Sequence, residues 1–244
     1  MRKLLIALLF GFPLMAIAAG SSYPLDKAPV DLTDQASLQR GAKIFMNYCS
    51  GCHSMKYQRY KRSFDDLGIP EELGQKYLQF NGDKVTDYMK RAMPEEQAGV
   101  WFGAAPPDLT LVARVRGEDW LYTYLRTFYV DPDRPFGVNN KVFPEVGMPH
   151  ALQSLQGTPR EAYEEAMVDG EMTERYIGIK SDGDGELSAD EYDKAVGDLV
   201  NFLEYTGEPF RLQSEKIGKW VLAFIVVLFI FVFLLKKEYW REVH

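Results

Sequence analysis

A mainly α-helical domain with long loops, carried on one transmembrane helix near the C-terminus, is the fold class this sequence predicts. Helical periodicity recurs in three separated stretches, Pro- and Gly-rich excursions lie between them, and residues 220–235 form an unbroken apolar run. At 244 residues the chain has room for one domain of ordinary size plus appendages.

The elements follow in chain order. Residues 1–19 carry Arg2 and Lys3, then a short apolar core, then small residues that suit a signal peptidase, so they read as a secretory signal peptide. Residues 20–215 are then the exported domain. Residues 37–48 carry Leu38, Ala42, Phe45 and Met46 at helical spacing and run straight into Cys49. Residues 57–80 are polar and aromatic with a few apolar anchors, and residues 86–93 predict a short helix stopped by Pro94. Pro106 and Pro107 forbid helix and make 103–108 a rigid loop. Residues 117–129 predict a clear helix, with a stripe of Trp120, Leu121, Tyr124, Leu125 and Phe128 whose first reading is core packing. Residues 131–147 are a long excursion rich in Pro, Gly and Asn. Asp182, Asp184, Gly185, Leu187 and Glu191 match positions of a calcium-binding loop. Lys180 stands where the first acid should be, so the segment reads as a polar turn between two short extended segments. Residues 191–205 form the last amphipathic helix.

The anchor, residues 216–236, is long enough to cross the hydrocarbon core at about 1.5 Å per residue. Lys219 and Lys236 can snorkel, and Trp220, Tyr239 and Trp240 sit where interfacial aromatics belong. Lys236, Lys237 and Arg241 place the tail, 237–244, in the cytoplasm by the positive-inside rule, with the domain in the periplasm. The formal charge is −7 and becomes −9 once Arg2 and Lys3 leave with the signal. Such a balance suits solubility or the steering of a basic partner, and it offers nothing to nucleic acid.

Chemistry concentrates in Cys49, Ser50, Gly51, Cys52 and His53, the Cys-x-x-Cys-His pattern of covalent c-type haem attachment. Two thiols a helical turn apart can each add to one vinyl group, and the adjacent histidine becomes the proximal iron ligand. A zinc site would need further ligands, and beyond these residues the chain offers only His150 and His244 plus carboxylates. For the iron's other face three residues compete: Met93, Met148 and His150. A methionine would raise the potential and favour electron transfer.

Taken together, the signal peptide, CSGCH, APPDL followed by RVRGEDWLYTYLRTFY, VGMPHAL, ELSADEYDKAVGDLVNFLEYTGEP and the single C-terminal anchor resemble bacterial cytochrome c1. That family supplies the haem subunit of the cytochrome bc1 complex, and the resemblance covers nearly the whole mature chain. It implies a cytochrome c-like haem domain with one covalently bound haem c, thioethers at Cys49 and Cys52, and axial ligands His53 and Met148. It also implies that Arg116, with Arg114 as the alternate, approaches a haem propionate, and that a backbone carbonyl near Pro106 and Pro107 orients His53. The function it implies is one-electron relay from the Rieske iron–sulfur protein to a c-type cytochrome, as the electron-transfer subunit of quinol–cytochrome-c reductase, beside cytochrome b, in a dimeric complex in the inner membrane. No side chain of the chain itself catalyses a substrate reaction. A membrane-anchored c-type peroxidase, a gas-binding haem protein and a standalone electron shuttle are the competing readings, separated by the sixth ligand and by co-purification.

Overall fold

A computed structural model describes residues 23–168 and 171–241, so the expected signal peptide and His244 lie outside the described residues. About half of the described residues are helical. The framework is a crossing of two helices, α1 (Gln35–Ile44) and α8 (Ala189–Gly207). Each starts on a side-chain cap. Asp34 accepts from the Ser37 amide at 3.0 Å, and Ser188 with Glu191 forms a reciprocal capping box.

What lets the two helices approach is Gly41. A methyl group there would sit 2.0 Å from the Asp198 carbonyl oxygen, so only hydrogen fits. Around that contact Phe45 and Phe202 are wholly buried with ring centroids 5.8 Å apart. Arg40 grips Asp198 through both Nε (2.5 Å) and Nη2 (2.8 Å), a bidentate pair that fixes the crossing. Buried Asn201 holds the entering chain by donating to the Asp31 carbonyl (2.8 Å) and accepting from the Asp31 amide (3.2 Å).

Next after α1 comes a π-helical turn, Phe45–Cys49, whose wider ring turns the backbone toward the haem motif. Strand β1 (Met55–Arg59) follows and leads into α2 (Tyr60–Leu67) and α3 (Glu71–Leu78). Antiparallel to β1 runs the two-residue β2 (Tyr88–Met89), and then α4 (Glu95–Phe102). The short α5 (Val112–Arg116) and α6 (Glu118–Arg126) pack on α8, where the Tyr192 hydroxyl donates to the Leu125 carbonyl at 2.8 Å. Strands β3 (Phe128–Val130) and β4 (Val138–Asn140) form a hairpin, and α7 (Gln153–Gln156) precedes a long antiparallel pair, β5 (Pro159–Val168) and β6 (Glu171–Ser181). Lys141 ties that pair to the body through Glu161, with its ammonium over the Tyr129 and Tyr176 rings. Last is α9 (Arg211–Tyr239), 29 residues, long and apolar enough to cross a membrane, with no residue buried against the domain.

Three expectations need correcting. Residues 86–93 are not a helix: they hold a turn and β2, and Pro94 stands at the N-cap of α4, with Glu95 and Glu96 in the favourable first turn. Residues 57–80, polar and aromatic in the sequence and assigned no element there, hold the end of β1 and the helices α2 and α3. The helix expected over 117–129 stops at Arg126, because Phe128 enters β3. The acidic turn after Lys180 joins strand β6 to helix α8 rather than two short extended segments. Its carboxylates hold that join, Asp184 accepting from Thr158 N and Oγ1 (2.6 and 2.7 Å) and Asp182 from Arg160 Nε at 2.8 Å.

Candidate functional site

Between α6, α8, the 103–109 loop and the 143–151 segment lies a cavity of about 410 Å³, in the size range of a ligand site. Its wall is mostly apolar: Leu121 and Leu125 from α6, Leu199 and Leu203 from α8, then Phe102, Leu109, Val112, Phe143 and Val146. The polar and sulfur-bearing groups on it are few. Cys49, Cys52 and His53 come from one segment, Met148 from another, and Arg116, Trp120 and Tyr124 stand along the α5–α6 side.

Local hydrogen bonds fix the motif. The His53 amide donates to the Cys49 carbonyl at 2.8 Å and the Cys52 amide to the same oxygen at 3.1 Å, closing a turn that groups both thiols with the imidazole. His53 is 8% exposed, and its Nδ1 lies 2.7 Å from the Pro107 carbonyl. A carbonyl can only accept, so Nδ1 carries the proton and Nε2 keeps its lone pair for a metal. Burial holds the imidazole below its ordinary pKa, which keeps it neutral and ligand-competent. The Cys49 thiol is pushed up to about 12 by burial. A reactive Cys-x-x-Cys redox pair needs the opposite shift.

Proline leaves the 103–108 loop without amide donors at 106 and 107, so side chains must brace it. Arg91 does this. Its side chain is 8% exposed, and the guanidinium donates through Nη1 to the Pro106 carbonyl (2.7 Å) and through Nε to the Met93 carbonyl (3.1 Å). Its own amide donates to Ser54 Oγ at 2.9 Å, and the Leu109 amide to the Ser54 carbonyl at 2.9 Å. Three segments are thereby stitched around the imidazole.

On the other wall, the Tyr124 hydroxyl donates to Met148 Sδ at 3.4 Å. The Tyr124 ring is held on both sides, stacked on Trp120 at 4.8 Å and edge-on to Phe128 at 5.2 Å. Burial pushes its phenol well above the ordinary tyrosine range, so the hydroxyl stays a donor. Three residues before Met148, Glu145 adopts φ 61°, a left-handed conformation held by Arg134 Nη2 on its carbonyl (2.7 Å) and by Asn139 Oδ1 on its amide (2.8 Å).

The other ligand candidates stand elsewhere. Met93 is half-buried and outside the cavity wall, with its carbonyl engaged by Arg91. His150 lies behind the wall, its ring stacked on Phe128 at 4.8 Å and its Nε2 2.7 Å from Gln156 Oε1. Burial lowers its pKa to about 4, as befits a neutral core histidine. Arg116 lines the cavity with its guanidinium 5.0 Å from the Trp120 ring and 5.9 Å from Phe143, whereas Arg114 leans 3.7 Å from Glu208. The aromatic stripe of α6, read first as plain core, turns out to furnish cavity wall through Trp120, Leu121, Tyr124 and Leu125.

The residues fit a haem. Two thiols and a neutral imidazole share one segment, a thioether stands on another, the walls are mostly apolar, and one guanidinium is available to carboxylates. The Cytochrome C1 family model matches residues 26–243. The chain belongs to the cytochrome c1 family. It is 52% identical to cytochrome c1 of Allochromatium vinosum across the whole of both chains. It is 43% identical to a Nitrosomonas europaea protein named ammonia monooxygenase gamma subunit, over all of this chain and 98% of that one. Mitochondrial cytochrome c1 of Schizosaccharomyces pombe, named a heme protein, is 28% identical over 80% of this chain and 63% of its own length. Cytochrome c1 is a haem protein of electron transport, a component of bc1-type oxidoreductase complexes with cytochrome b and the Rieske protein.

Proposed function

We propose that the chain is the haem-bearing relay of a quinol:cytochrome c oxidoreductase, taking single electrons from the Rieske iron–sulfur protein and passing them to a c-type cytochrome. The observation that carries this reading is the convergence of Cys49, Cys52, His53 and Met148 on one apolar cavity. Cys49 and Cys52 would hold one haem c through thioethers, and His53 Nε2 and Met148 Sδ would ligate its iron. When bound, the haem supplies reversible one-electron chemistry at its iron. The chain's own residues set the conditions. The Pro107 carbonyl holds the His53 ring in its ligating tautomer, the Met148 thioether and the apolar walls would favour the ferrous state, and Arg116 would pair with a propionate. The haem domain faces the periplasm, α9 crosses the inner membrane and residues 237–244 are cytoplasmic, within a dimeric complex.

Purification of the full chain from its native membranes, with cytochrome b and the Rieske protein co-eluting, is the expected outcome; a lone anchored chain would indicate a free shuttle. In the same preparation Met148→Leu should abolish the weak far-red absorption of thioether-bound ferric iron and Met93→Leu should keep it. Rapid carbon monoxide binding to the reduced native protein would instead mark an open iron and a gas-binding or peroxidatic role.

A further inference from the structure

We infer that the Tyr124 hydroxyl polarises and positions the Met148 thioether, making Tyr124 a residue that sets the haem's potential from outside the iron's coordination shell. The inference rests on Met148 being the sixth ligand and deepens that reading. Three observations carry it. The hydroxyl is buried, and among the described residues its hydrogen-bond partner is a sulfur, Met148 Sδ, at 3.4 Å. A phenylalanine would fill the same apolar wall without a polar atom to satisfy. The ring cannot swing away, because Trp120 stacks on it at 4.8 Å and Phe128 meets it edge-on at 5.2 Å. The hydroxyl is therefore aimed, and it is aimed at a weak acceptor.

A thioether sulfur has two lone pairs, one for iron and one for a donor. A hydrogen bond to the second withdraws electron density from the first. Ferric iron depends more on sulfur donation than ferrous iron does, so the hydrogen bond disfavours the oxidised state and raises the potential. The bond also fixes the sulfur's direction before a haem is bound.

The test uses the full-length, haem-loaded protein in detergent and the variant Tyr124→Phe, which removes one oxygen and keeps the ring. The far-red thioether-to-ferric band should persist in both proteins, and the midpoint of the variant should fall by about 30 to 60 mV, the equivalent of threefold to tenfold at 59 mV per tenfold for one electron. Imidazole, titrated into the ferric form, should bind the variant about threefold more weakly, because the freed sulfur donates better to iron. A packing defect would do the reverse and admit imidazole more readily. An unchanged midpoint with the band intact overturns the role of Tyr124 alone, as does tighter imidazole binding. Absence of the band from the native protein overturns the Met148 reading, and this inference with it.

Discussion

Arg91 shows how much the position of one imidazole depends on a side chain that never touches it. Its buried guanidinium holds the Pro106 carbonyl while the next carbonyl, that of Pro107, holds His53. Each hydrogen bond from a buried cation contributes about 1.5–3 kcal/mol, whereas its ion pair with the largely exposed Glu95 adds little. Arg91→Met is expected to lower stability by roughly 2–4 kcal/mol, summing partly additive bonds of this kind. Arg91→Lys, a point donor replacing a planar fork, should recover only part of the loss. Denaturant unfolding of the haem-loaded protein measures both. The residues legible in the sequence were those whose type carries the chemistry: Cys49, Cys52 and His53 are adjacent, and Met148 sits in a recognisable run. Arg91 and Tyr124 gave no signal, because an arginine that braces carbonyls and a tyrosine that faces a sulfur look, in one dimension, like a surface charge and a core aromatic. A carbonyl such as that of Pro107 has no residue-type signature at all; only the paired prolines hinted at a rigid loop.

Among elements, the α1–α8 crossing governs the rest, since α1 delivers the haem motif and α8 forms part of the cavity wall. Gly41→Ala puts a methyl group against a backbone oxygen that cannot rotate away. The helices must then separate, and overpacking of this kind costs about 1–3 kcal/mol, sometimes more. The variant should lose thermal stability while the visible spectrum of its folded fraction stays native. A melt matching the parent's would show that the crossing yields easily. Helices with a strong apolar stripe and a clean cap, α1, α6 and α8, were readable from periodicity because they bury one face. Elements around 86–102 were misread because Pro94 was taken as a stop, although proline suits a helix start equally well. The β5–β6 pair went largely unread: its strands mix Glu, Ala and Met, residues of weak strand preference, and cross-strand partners rather than propensity hold it. The Asp-Gly dipeptide at 169–170 was the available hairpin signal in the sequence.

At the scale of the whole molecule, the joint between the haem domain and α9 is short and tied down. Only Glu208, Pro209 and Phe210 separate α8 from α9. Arg211 pairs with Glu204 across the joint, its amide donates to the Glu208 carbonyl at 3.0 Å, and the Arg62 guanidinium lies 4.2 Å from the Phe210 ring. If α9 lies in the bilayer, the domain has almost no slack. A free chain of n residues wanders about 5–6 Å times the square root of n, so 20 inserted Gly/Ser residues would let the cavity roam roughly 25 Å. Such an insertion after Glu208 is expected to leave the haem spectrum unchanged and to slow electron arrival from a membrane-bound donor, read by flash or stopped-flow reduction. Equal rates would show that other contacts, not the joint, hold the domain in place. The three-residue joint acts as a concentration device. With α9 in the bilayer it would confine the cavity to a thin shell above the lipid surface, where a partner held on the same membrane would meet it at an effective concentration that no soluble copy of the domain could match.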